Sequence, residues 1–544
     1  MSETASPTPP ASTPTGRPPR RAAGLVAAGI LLSRLAGLVR GRVFAHYFGA
    51  SDAADAFTAA LRIPNFLQNL FGEGVLSASF IPVYAGLLGR GEEKEANRVA
   101  GVIAAVLSLL TAGLVLLGVL ATPFLIDVIA PGFSGEKREW TIRLVRLLFP
   151  GVGLLVLSAW CLGVLNSHRR FFLSYAAPVV WNFTMIAAML AFGRGSGGLY
   201  RLAAIVAVAA TIGSALQIAL QLPTVLRLAR GLRLSLDTGS AHVREVFRSF
   251  GPVVLSRGVV QVSAYIDQIL ASFLGSGAVA SLNYAQTLYT LPVSLFGMAV
   301  SASELPEMSR ATGAAGGTEE VAAYLRGRLA SGLRRIAFLV VPSAMAFLAL
   351  GDVVAGLLFQ TGRFGHSAAV YVWAILAGSA VGLLASTLGR LYSSTFYALH
   401  DTRTPLRYAV VRVLLTTGLG YLCALPLPRA LGLDPKWGAA GLTASAGAAG
   451  WVEFLLLSRG LGRRIGAVRL PGSFLARLWG AALAGAALGW GVKLLLGARG
   501  EVHPLLLGIS ALGVYGVGYF AASALLGLPE ARQIVSGVLR QLRR

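Results

Sequence analysis

Arg34, Arg40 and Arg42 stand inside the stretch 22–51, AAGLVAAGILLSRLAGLVRGRVFAHYFGAS, which is otherwise apolar enough to enter a bilayer. An arginine near the bilayer centre costs roughly 2.5–3.5 kcal/mol on insertion scales. The cost is offset when the guanidinium faces a wet cavity or an anion, and reduced when it snorkels to an interface. Arg34 lies near the middle of the segment, out of easy reach of either interface at ~1.5 Å rise per residue. Arg40 and Arg42, two residues apart, diverge by about 160° on a straight helix. Gly37 and Gly41 offer a bend. The reading is that Arg34 and Arg40 face a cavity, while Arg42 snorkels outward unless the helix bends. A planar guanidinium fork suits phosphate or carboxylate, so the expected chemistry is anion binding.

The next apolar segment carries Asp55, Arg62 and Glu73, and is interrupted by Pro64, Gly72, Gly74 and Pro82. Broken helices are tolerated in a membrane where they line a cavity. Arg62 with Asp55 reads equally as an ion pair near the outer face or as a ligand site. Further along, Arg257 stands ten residues before Asp267, on nearly the opposite helix face, and Glu304 is another costly intramembrane charge. Glu304 suits either cation or proton coupling, or a buried neutral carboxyl. The candidate substrate-binding residues are thus Arg34, Arg40, Arg62 and Arg257, with Asp55, Glu73, Asp267 and Glu304 as supporting or coupling acids. Catalytic chemistry is not expected. No lysine precedes Ser or Thr, which excludes a phosphate-binding Walker loop, and no zinc-type spacing or nucleophile elbow occurs. Cys161 and Cys423 lie in apolar segments and read as packing residues. No metal or bound cofactor is expected. A coupling cation or the membrane potential is left open as the driving force.

These residues need a membrane scaffold to hold them. Mean hydropathy is +0.69, with 55% hydrophobic and 13% charged residues, the mark of a polytopic membrane protein. The net charge of +24 is almost all arginine, concentrated in short loops, so it reads as topogenic charge and not as nucleic-acid binding. Apolar segments fall near 23–49, 52–89, 96–131, 138–166, 172–193, 199–230, 243–275, 279–311, 319–351, 367–399, 404–427, 437–460, 474–497 and 504–528. Fourteen spans put both termini on one side, and the loop arginines make that side cytoplasmic. Residues 1–21 read as a disordered basic tail and the following segment as an uncleaved first span. LFGEGVLSASFIP (70–82) recurs as LFGMAVSASELP (295–306), and the Ser-Arg pair 33–34 recurs at 256–257. The expected organisation is a six-helix bundle over 22–230, a basic linker over 231–248, a second bundle over 249–465, and two further helices with a basic tail over 466–544. Transporters built from such repeats place the substrate between them.

With those residues in hand, the chain resembles the MurJ (MviN) lipid II flippase family of the MOP exporter superfamily, over about residues 25–465. The markers are SRLAGLVR (33–40), FGASDAADAF (48–57), RIPN (62–65), GEGVLSASFIP (72–82), APGF (130–133), LFQTGRF (358–364) and FYALHDTRTP (396–405). The resemblance implies an all-α fold of two six-helix bundles in a V plus helices 13 and 14, in a bacterial cytoplasmic (inner) membrane. It implies alternating-access transfer of undecaprenyl-pyrophosphoryl-MurNAc-pentapeptide-GlcNAc to the outer leaflet, for peptidoglycan synthesis. It also implies lipid II and the bilayer as partners, with cell-wall synthesis or division proteins as candidates. Cavity arginines would bind the pyrophosphate head, and a groove by the last two helices the lipid tail. Carried onto this chain, the matching positions are Arg34, Arg40, Asp55 and Glu73, with Arg62 at a basic position. Gly41 stands where an acid commonly follows the second arginine. Gln286-Thr287 replaces an Asp-Arg pair of some members, and Asn69 an arginine. Competing readings are another MOP-type lipid-oligosaccharide flippase, a drug antiporter, a membrane-embedded cell-wall glycosyltransferase, or a scaffold. An antiporter would favour an acidic cavity, a glycosyltransferase would need catalytic acids in a sizeable outer loop, and a scaffold leaves the midplane arginines unexplained.

Overall fold

A computed structural model describes residues 20–195, 197–313, 318–498 and 502–532, and among them it contains helices and no β-strand. In chain order the helices are α1 (Arg20–Phe48), α2 (Asp52–Phe71), α3 (Glu73–Gly89), α4 (Glu93–Leu120), α5 (Thr122–Ile129), α6 (Gly135–Ser167), α7 (Phe171–Phe192), α8 (Leu199–Leu228) and α9 (Ala241–Ala271). There follow α10 (Ala278–Pro292), α11 (Ala299–Gly313), α12 (Thr318–Phe359), α13 (His366–Ala398), α14 (Arg403–Ala424), α15 (Pro426–Ala430), α16 (Gly438–Ile465), α17 (Gly472–Gly497) and α18 (Pro504–Leu525). The tail expected over 1–21 lies almost wholly outside the described residues.

Twelve helical stretches among the described residues are long and apolar enough to cross a membrane, α2 with α3 and α10 with α11 each counting once. The two long helices left out, α1 and α9, have 29 and 31 residues and are the ones that carry Arg34 and Arg257. Two apolar segments differ from the sequence reading. The stretch 96–131 divides at Ala121 into α4 and α5, because Pro123 sits in the first turn of a new helix, where its missing N–H costs nothing. The stretch 319–351 continues to Phe359 across a kink at Leu350 (φ −128°, ψ 22°). Asp352, just past the kink, pairs with Lys493 of α17 at 2.6 Å.

The break in the second apolar segment is at Gly72. A Cβ there would lie 2.2 Å from the Gln68 carbonyl oxygen, so only glycine lets the chain turn between α2 and α3. The repeated element is irregular at the matching place: a π-helical turn, Val293–Met298, joins α10 to α11 and contains Gly297. Both halves of the chain therefore bend their second span at the same Leu-Phe-Gly.

Helices α1, α2, α6, α7 and α8 pack together, as do α10, α12, α13, α14 and α16. Helix α9 lies against α3 and α2 as well as against α14 and α16, and so bridges the two groups. The last two helices, α17 and α18, pair with each other and lie on α12. Gly485, Gly489, Gly508 and Gly518 make close contacts there, whereas Gly480, Gly491, Gly513 and Gly516 face open space. Small residues thus serve tight packing on one face only.

Candidate functional site

Arg34 reaches across from α1 to the π-helical turn, donating from Nη1 to Ser294 Oγ at 2.9 Å. Its side chain remains exposed. Arg40 stacks its guanidinium 4.9 Å from the ring centre of Trp181 on α7, and no carboxylate pairs with it among the described residues. Arg42 does not snorkel outward. Its Nη1 donates to the carbonyls of Leu357 and Leu358, both at 2.9 Å. These are among the last carbonyls of α12, which have no partner within their own helix and carry its negative end. The three arginines of α1 therefore separate into one on the repeat interface, one on an aromatic ring and one capping a helix of the second half.

Asp55 is fully buried, but its partner is not Arg62. Lys137 Nζ donates to Asp55 Oδ2 at 2.6 Å and pairs with Asp52 Oδ1 at 2.8 Å. The N–H groups of Gly277 and Ala280 also donate to Asp55, at 2.7 and 2.8 Å, so a first-half carboxylate caps the N-terminus of α10 in the second half. Asp55 stands in the first turn of its own helix, and the Lys137 side chain comes back to it from the start of α6.

This capping belongs to a larger seal. At the same end of the bundle, Tyr284 Oη donates to the Gly49 carbonyl (3.1 Å), the Arg363 N–H to the His46 carbonyl (2.8 Å), and the Gly132 N–H to Ser272 Oγ (3.0 Å). His46 Nδ1 and Thr361 Oγ1 lie 2.9 Å apart. Gly277, at φ +79°, brings its backbone so close that a Cβ would lie 2.5 Å from the Ala50 carbonyl oxygen. Backbone and polar side chains of the two halves interlock where α1 ends and α2 begins.

Arg62 lies within electrostatic reach of Tyr265 and Asp267 on α9, and its own carbonyl accepts a hydrogen bond from Tyr265 Oη at 2.9 Å. Asp267 lies within electrostatic reach of both Arg62 and Arg412, with Oδ1 buried and accepting no hydrogen bond. Glu304 is 5% exposed and lies 2.8 Å from Arg328 of α12. It is thus a paired acid joining α11 to α12, where the sequence left a coupling site or a neutral carboxyl open. The side chains of Glu73 and Arg257 lie outside the described residues. The structure thus brings Arg62 within electrostatic reach of Asp267 and gives Arg34, Arg40, Asp55 and Glu304 separate partners.

A polar cavity of ≈ 400 Å³ opens inside the first half, among α2, α3, α6, α7 and α8. Its wall includes Gln68, Asn69, Ser77, Ser158, Gln217 and Gln221. Ser158 Oγ donates to Gln221 Oε1 (2.7 Å) and accepts from Gln217 Nε2 (2.8 Å). Arg34, Arg40 and Arg62 do not line it, but Trp181, under Arg40, is one turn along α7 from the lining residue Pro178. Sequence reasoning missed this cavity and Lys137. The available signal was Gln217 and Gln221, four apart and so on one face of an otherwise apolar helix. No group of three or more metal-ligating side chains occurs among the described residues.

Duplicated halves, a shared helix break and arginines set into the first helix define an all-α membrane transporter built from repeats. The profile described as lipid II flippase MurJ matches residues 44–509. A protein of Rhizobium meliloti (strain 1021) named probable lipid II flippase MurJ is 32% identical over 448 residues, covering 78% of this chain and 77% of its own length. The lipid II flippase MurJ of Burkholderia cenocepacia is 32% identical over 462 residues, with 83% and 86% coverage. The chain belongs to the MurJ lipid II flippase family. Its fold also matches a solved lipid II flippase MurJ in an inward closed conformation (TM-score 0.74, 21% identity, 94% of this chain and 99% of that one). An inward-facing MATE multidrug transporter of the MOP superfamily matches less closely (TM-score 0.64, 17% identity, 81% and 98%).

Proposed function

We propose that this protein carries lipid II, undecaprenyl-pyrophosphoryl-MurNAc-pentapeptide-GlcNAc, from the cytoplasmic to the outer leaflet, by alternating access and without a chemical step. The observation that carries the reading is Arg34, an intramembrane guanidinium placed at the interface of the two repeats and held there by a neutral hydroxyl. A serine can be exchanged for an anion, and a fork that donates two parallel hydrogen bonds suits a pyrophosphate. The seal at the α1–α2 end supports a resting state closed on that side, with the substrate admitted from the other.

In the same reading α1 and α9 also cross the membrane, giving fourteen spans in the inner membrane with both termini cytoplasmic. At about 1.5 Å per residue either helix exceeds a ~30 Å hydrocarbon core. Gly135→Cys and Leu433→Cys should label from outside and Glu92→Cys and Leu236→Cys should not. External labelling at 236 would sink that arrangement. The deciding functional experiment is depletion of a host's own flippase with this chain as rescue, reading outer-leaflet lipid II directly. Rescue by the native chain and failure by Arg34→Ala at matched membrane levels are expected. Rescue by both would remove the arginine from the mechanism.

A further inference from the structure

The turns joining α6 to α7 and α13 to α14 are the same structure with opposite charge. In the first, the N–H groups of His168, Arg169 and Arg170 donate to the carbonyls of Val164, Asn166 and Leu165. In the second, those of Leu399, His400 and Asp401 donate to Thr395, Tyr397 and Phe396, with identical spacings. Arg169 (φ 60°) and His400 (φ 58°) occupy the left-handed region and are the only non-glycine residues to do so among those described. Opposite each turn, Arg227 and Arg464 stand one residue before the ends of α8 and α16. By this correspondence Arg170 occupies the position of Asp401.

What Asp401 does shows what the seat is for. Its Oδ1 accepts from the N–H groups of Arg403 and Thr404, both at 3.0 Å, and its Oδ2 from Thr404 Oγ1 at 2.6 Å. Arg464 pairs with the same oxygen at 2.6 Å. A carboxylate thus fills the positive end of α14 and neutralises the arginine opposite. In the first half that carboxylate is replaced by another cation. No side chain caps α7, and no carboxylate pairs with Arg169, Arg170 or Arg227 among the described residues. These three arginines line a cavity of ≈ 470 Å³ together with Phe171, Phe172 and Thr224. Its lip is apolar: Phe172 is 47% exposed, and Leu173 and Leu228 stand beside it.

We infer that this seat binds the phosphate of an anionic phospholipid from the leaflet on that side, with Arg227 doing for the lipid what Arg464 does for Asp401. Three guanidinium groups with no carboxylate partner among the described residues and a helix N-terminus without a side-chain cap supply the donors for a phosphodiester. The exposed Phe172 ring and the leucines beside it would meet the acyl chains, which free phosphate lacks. The site is formed from α6, α7 and α8 alone and does not depend on what the protein transports.

The test is lipid retention by the purified full chain, measured by native mass spectrometry with phosphatidylglycerol, and with phosphatidylcholine as the uncharged control. Arg170→Asp rebuilds the internal anion of the second half, and Arg227→Gln removes the opposing charge. The native chain should hold one more phosphatidylglycerol than Arg170→Asp, and Arg227→Gln should weaken that binding by about fivefold or more. Arg170→Asp should unfold no earlier than the native chain, since its carboxylate caps α7, which separates loss of the site from loss of the fold. Equal phosphatidylglycerol retention by all three proteins would overturn the site. Equal retention of phosphatidylcholine, displacement by millimolar inorganic phosphate, or preferential displacement by undecaprenyl pyrophosphate would each overturn the assignment to an anionic phospholipid.

Discussion

Arg34 and Lys137 are both cations with well-defined partners, yet only one was legible in the sequence. Arg34 stood out because a charge in the middle of an apolar run must be explained. Lys137 lies in the run GEKREW at the start of α6, where nothing separates it from ordinary topogenic charge. Its role comes from a tertiary contact: it answers a carboxylate that is 0% exposed and shared with two N–H groups of the other half. Two different outcomes are expected. Arg34→Lys should fail or be badly impaired in lipid II rescue, since an ammonium lacks the fork, while its membrane level is unchanged. Full rescue by the lysine variant would show that charge alone suffices. Lys137→Met leaves Asp55 buried without its cation, a change that costs about 3–5 kcal/mol when a buried pair loses one member. Its thermal midpoint in detergent should fall clearly below that of the native chain, and Asp52→Asn, at the exposed end of the pair, should cost far less.

At the scale of elements, the broken second span and its repeat were legible because Gly and Pro punctuate helices strongly. The ties around α12 were not. Pro342 has no N–H to offer the Phe338 carbonyl one turn back, and Tyr519 of α18 donates to that oxygen at 2.6 Å. Near the kink at Leu350, Trp490 of α17 donates to the Ala349 carbonyl at 2.7 Å and Trp373 to that of Leu348 at 3.0 Å. In a bilayer no water would satisfy these oxygens, so the last two helices, together with Trp373 of α13, complete α12. Deletion of 470–544 would therefore weaken the remaining bundle as well as remove any lipid groove. Point changes separate the two roles. Tyr519→Phe should lower stability by about 0.5–1.5 kcal/mol. Gly516→Leu, on the open face, should leave thermal unfolding unchanged and reduce lipid II transfer if a polyprenyl tail lies there. Unimpaired transfer would leave packing and α12 satisfaction as the roles of α17 and α18.

For the whole molecule, the arrangement of two halves followed from the repeat, but the end at which they are joined did not, because the seal is made largely of backbone groups. Gly49, Gly132 and Gly277 bring main chain to main chain, and main-chain contacts leave little trace in residue type beyond the glycine itself. Apolar side chains of the two halves also meet there, Phe44 and Tyr284 with ring centres 6.4 Å apart, while the hydrogen bonds of the seal are ones that water can replace on opening. A protein that alternates must break these contacts in each cycle. His46 and Thr361 offer a handle, since their side chains meet across the seal and neither is proposed to touch substrate. His46→Cys combined with Thr361→Cys, bridged by a short bifunctional thiol reagent, should hold this end shut. The native residues Cys161 and Cys423 would be replaced by serine or alanine first, so that only the introduced pair reacts. Lipid II transfer should stop on bridging and return when a cleavable bridge is cut, with each single-cysteine protein active throughout. Transfer at the native rate with the bridge intact would mean that this end does not open during transport, and alternating access through it would have to be abandoned.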